Sequence, residues 1–188
     1  MPATHAHADV TVPPGFVLAS LVPATEYKAL TASTFLTPEL LTAITLIALG
    51  RTRQQTATAL GITLGALDRL LIKATTALGC RSRMPLLVHT AYGHSDYPTP
   101  GELGDPAPDL NSDEWMVLLA HSGGFTFKHL SQARKLLLFD LTDINRSLLA
   151  KLDALTPAHA VRHAWQYGLF PRESGQVTNR PVAEGSTP

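Results

Sequence analysis

Between residues 36 and 170 apolar residues recur mostly at intervals of three and four, the spacing of helices that bury one face. Thr37-Pro38 pairs a capping hydroxyl with a proline at the first helical position, a start signal. Behind it Leu40, Leu41, Ile44, Ile47 and Ala48 form one stripe, which Gly50 ends. A second helix is expected from about Arg53 to Leu60, stopping at Gly61. Thr63 then caps a third, with Leu67, Leu70, Leu71, Ala74 and Leu78 inward and Gly79 closing it. A fourth begins near Met84 and carries Leu86, Leu87 and Ala91. No stretch alternates at period two, so the expected class is all-α, built as two small bundles of three or four helices.

Proline and glycine divide the chain. Residues 1–23 hold prolines at 2, 13, 14 and 23 and read as a tail, with Phe16, Val17 and Leu18 docking on the body. Thr25 to Thr34 fits a short helix presenting Tyr27 and Leu30. Residues 94–109 contain four prolines and two glycines; proline fixes φ and removes a donor, so this is a linker. Residues 171–188 read as a second tail, leaving globular pieces at 24–93 and 110–170.

Charge changes this picture, although the whole chain is formally neutral. Residues 36–93 carry six basic and two acidic side chains, whereas residues 94–188 carry eight and eleven. A basic island in an otherwise acidic chain fits a footprint for phosphate. Three helices with a glycine between the second and third is the pattern of helix-turn-helix DNA binding, in which the third helix enters the major groove. The stretch from Leu36 to Arg83 resembles the LuxR-type (GerE-like) DNA-binding domain. The shared marks are Leu36-Thr37-Pro38, Ile44, Gly50, Ala57, Leu60-Gly61-Ile62, Leu67, Leu71, Leu78-Gly79, Arg81 and Arg83, in register without a gap.

The resemblance implies a regulator that reads double-stranded DNA through the outer face of helix 63–78. That face offers Thr63, Leu64, Gly65, Ala66, Asp68 and Arg69, with Lys73 a turn further on. The family usually has lysine or arginine where this chain has Asp68, which repels phosphate but can accept from a cytosine amino group. Arg69 suits a guanine or a phosphate, while Arg51, Arg53, Lys73, Arg81 and Arg83 are placed as backbone clamps. The alternative is a helix-turn-helix kept as a protein-interaction module, a regulator's partner or inhibitor, without specific DNA reading.

A shift of 74 positions lays a second, worn copy on the first. Leu110 falls on Leu36, Trp115 on Leu41, Leu118 on Ile44, Gly124 on Gly50, Leu130 on Thr56, Leu141 on Leu67 and Leu152 on Leu78. Ala160-Val161 fall on Leu86-Leu87, and the stretch ends at Gly168-Leu169. Leu60-Gly61-Ile62 becomes Arg134-Lys135-Leu136, losing the glycine. Asp140 and Asp143 near the start of the equivalent reading helix suit helix capping better than DNA contact. Lys128, Arg134, Lys135 and Arg146 remain for phosphate, but packing or partner contact is the role expected of this copy. Fourth helices commonly form the family's dimer contact, which makes Trp165, Tyr167 and Leu169 interface candidates in a homodimer or an intrachain pseudo-dimer; the other reading is ordinary core, preferred for Trp165.

Other chemistry finds little footing. His159 and His163 share a helical face but lack a third ligand at convincing spacing, so no metal is expected and a surface or helix-terminal role is preferred. No phosphate loop, serine elbow or catalytic acid pair occurs, so neither an enzyme nor a cofactor is expected. One cysteine, Cys80, no apolar run of membrane-spanning length and no signal-peptide pattern lead to the expectation of a cytoplasmic, nucleoid-associated protein. Without a receiver or ligand-binding domain, control would come through a partner protein or through abundance. The Ala-, Leu- and Arg-rich, Lys-poor composition fits a bacterium with GC-rich DNA.

Overall fold

Thr37 accepts a hydrogen bond from the Leu40 amide, and Pro38 opens the first of eight helices in a computed structural model that describes residues 36–94, 97–98 and 100–170. The helices are α1 (Pro38–Ala48), α2 (Arg53–Ala59), α3 (Leu64–Ala77), α4 (Met84–Gly93), α5 (Ser112–Ser122), α6 (Phe127–Arg134), α7 (Leu138–Lys151) and α8 (Pro157–Gln166). Among the described residues there is no strand, and the fold is all-α. No helix there is long and apolar enough to cross a membrane. The expectations for residues 1–35 and 171–188 lie outside the described residues.

The repeat is visible in the backbone. Moving α1 and α3 along by 74 residues reproduces the bounds of α5 and α7. Gly61, Gly79 and Gly50 have φ of +64°, +63° and +83°, and their counterparts Lys135, Asp153 and Gly124 have +57°, +48° and +70°. Lys135 thus keeps the left-handed turn although the glycine is gone, at a cost of about 1 kcal/mol. The loop before α8 is one residue shorter than the loop before α4, so the fourth helices align at 73. Buried Ala160-Val161 therefore match buried Leu87-Val88, not Leu86-Leu87 as the uniform shift predicts.

The two halves meet through reciprocal contacts. α4 lies against α8, α4 also reaches α5, and α8 reciprocally reaches α1. Leu86 covers Gly124 so closely that a Cβ there would stand 2.7 Å from its Cδ2. His159, the counterpart of Leu86, covers Gly50, where a Cβ would stand 3.0 Å from its Nδ1. Such an exchange, each patch meeting the other's equivalent, is the mark of an isologous contact. Buried apolar residues of both halves accordingly form one continuous core, from Leu41, Ile44 and Leu67 to Leu118, Leu141 and Trp165.

Polar groups in the seam are matched. Trp165 donates Nε1–H to His89 Nδ1 at 3.2 Å, and buried Arg162 donates to the Tyr92 hydroxyl at 2.6 Å. The described part of the linker forms no helix but is tied down. Tyr97 shares a 2.8 Å hydroxyl bond with Thr45, and Gln166 donates to the Gly101 carbonyl at 3.0 Å.

Candidate nucleic-acid interface

Local chemistry gives α2 and α3 a defined mutual placement. Thr52 and Gln55 form a reciprocal capping box at the start of α2, with bonds of 3.2 and 2.9 Å. Gly61 turns the chain while the Ile62 amide bonds back to the Ala57 carbonyl at 3.0 Å. Thr63 caps α3 by accepting from the Ala66 amide at 3.2 Å. Leu67, Leu71 and Ala74 bury one face of α3 against α1.

The opposite face stands in solvent. Leu64, Gly65, Arg69, Ile72 and Lys73 are exposed, and Ala66 and Asp68 are half-buried. At Gly65 a Cβ would lie 3.9 Å from Arg69 Nη1, so the guanidinium folds back over the bare backbone of the first turn. Asp68 does not present a free carboxylate: it pairs with Arg53, binding α3 to α2. Its negative charge is thereby answered within the protein, and Arg53 is spent on it. Arg53, Asp68, Ile72, Ser82 and Arg83 line one open cleft of about 480 Å³ between α3 and the start of α4. Arg51 and Arg81 are exposed at the flanking turns. Among the described residues no ion pair engages Arg51, Arg69, Lys73, Arg81 or Arg83.

The second copy is dressed differently. The positions of Arg69 and Lys73 are taken by Asp143, which pairs with Arg146, and Ser147, which donates to Glu114 at 2.7 Å. Neither Asp140 nor Asp143 caps α7, correcting the expectation: the N-cap is Leu137, which has no side chain to accept the bond, and Asp140 merely lies in the first turn. Leu137, Leu138 and Phe139 are 70%, 54% and 71% exposed at this tip. Sequence reasoning passed over them; the signal was four consecutive apolar residues, Leu136 to Phe139, where an amphipathic helix needs about two. Lys128, Arg134 and Lys135 are exposed on α6 and its turn.

A buried carboxylate also went unforeseen. Glu114 replaces the apolar Leu40 of the first copy, closes the capping box of α5, and takes Lys151 Nζ at 2.8 Å. Burial alone would raise its pKa, but the bonds from Lys151, Ser147 and the Asn111 amide together hold it below the usual value.

Of the interface candidates, Trp165 is buried in the α4–α8 seam, while Tyr167 and Leu169 pack half-buried at its end. His159 and His163 close the loop before α8. His159 Nδ1 accepts from the Leu155 amide at 3.2 Å, and His163 bonds through Nδ1 to the Leu152 carbonyl. Burial, then repulsion from His163 and Arg162, holds the pKa of His159 down to about 4. Among the described residues no three potential ligands gather as a metal site. Compared with known protein families, curated proteins and solved structures, the chain matches none.

Proposed function

We propose that this protein is a sequence-selective DNA-binding regulator of the LuxR type that lays α3 in the major groove. The observation that carries the reading is the outward face of α3: Arg69 and Lys73 stand exposed and uncommitted above a helix whose inner face is fixed in the core. Gly65 and Ala66 leave its first turn low enough for close approach to base edges. Arg51, Arg81 and Arg83 flank that helix as phosphate contacts, and the Arg53–Asp68 pair removes the repulsion an unpaired aspartate would bring. Selection from a random duplex pool tests this. Enrichment of a defined motif by the wild type, and none by the Arg69→Ala/Lys73→Ala variant, is the expected result; no enrichment by either contradicts it.

A second reading has its own observation. The exposed Leu137, Leu138 and Phe139 suit a protein partner, so an interaction module is the alternative if no DNA motif is enriched.

A further inference from the structure

Resting on the DNA reading above, we infer that a single chain spans two half-sites of unequal chemistry, the second recognised through thymine methyl groups. The seam is the reason for one chain. In helix-turn-helix dimers the two reading helices are related by the molecular twofold and meet half-sites about 10 base pairs apart. Here α3 and α7 have the same length, cap position and place in each half, and the reciprocal contacts of Leu86 with Gly124 and His159 with Gly50 relate them by a twofold inside the polypeptide. The contact that a homodimer would build from a second chain is already filled by α4 and α8, with Trp165 buried in it.

The two faces require different partners. α3 presents Arg69 and Lys73, which favour guanine acceptors and phosphate. At the tip of α7, Leu138 and Phe139 occupy the positions of Leu64 and Gly65, and exposed Thr142 occupies that of Asp68. Asp143, in the place of Arg69, is paired with Arg146, and exposed Asp140 stands in the place of Ala66, so no cation is left on this face beyond that pair; its apolar and methyl groups have one apolar counterpart in the major groove, the C5-methyl of thymine. Lys128, Arg134 and Lys135, exposed on α6 and its turn, supply the phosphate contacts that hold this face against the duplex. The second half-site is therefore thymine-rich, and the composite site is asymmetric.

The test uses the duplex best enriched from the random pool, the full chain and its Phe139→Ala variant. Phe139 is 71% exposed, so the variant keeps its fold, as melting will verify. The expected result is one chain per duplex by sedimentation and protection of two segments about one helical turn apart. Replacing thymine by deoxyuridine in the second segment should weaken wild-type binding about fourfold per methyl contacted, and leave Phe139→Ala indifferent. Two chains per duplex, a single protected segment, or equal affinity for the uridine duplex would overturn the inference while leaving α3 as a reader. Failure to enrich any duplex would instead remove the DNA reading itself, and the inference with it.

Discussion

Asp68 is the residue whose neighbour changes its meaning. Alone on the reading face it would oppose phosphate; joined to Arg53 it ties two helices together. Replacing it with alanine should free Arg53 for DNA. Nonspecific affinity should rise and the salt dependence steepen by about one phosphate, with stability changing by less than about 1 kcal/mol because the pair is partly open to solvent. Titration at several salt concentrations, beside a melt, measures both. Lys135 gives the converse case: its φ of +57° is one that glycine adopts freely, so Lys135→Gly should stabilise the protein by about 0.5–1 kcal/mol in urea unfolding. The pattern of residues identified the lost glycine but not that Lys135 takes over its left-handed turn.

Among the helices, α5 and α7 are coupled by a polar cluster where the first copy uses leucine. Lys151→Met would leave Glu114 buried without its cation, and stability should fall by about 2–4 kcal/mol, visible as a lower urea midpoint. Helix positions were largely legible from spacing and caps: Thr37-Pro38, Thr63 and the glycines mark the ends observed. Arg51, Arg69, Lys73, Arg81 and Arg83 stand exposed. Glu114 was not legible, since its partners Ser147 and Lys151 lie more than thirty residues away and only the packing of α5 on α7 joins them. Arg53–Asp68 escaped for the same reason, because pairing between helices depends on their crossing rather than on sequence distance.

For the molecule as a whole, the seam is the decisive feature. His89, His121 and His159 all have pKa values lowered, chiefly by burial, so the unfolded chain binds more protons than the folded one below about pH 6.5. Stability present at neutral pH should therefore fall as pH drops from 6.5 toward 4, and the lowered Glu114 adds to the loss below about 4.5. Melting temperatures at pH 7.5, 6 and 5 should descend in that order, and His159→Gln should flatten the trend. The same seam joins both halves on one core, the arrangement that the proposed DNA reading uses. The most direct test of that reading is the affinity of the wild type and of Arg69→Ala/Lys73→Ala for the enriched duplex between 50 and about 200 mM salt. The account predicts selective wild-type binding that weakens with salt, and a double variant that loses selectivity with a logarithmic salt slope shallower by about two. Equal affinity and equal slope for the two proteins would show that α3 is not the reader.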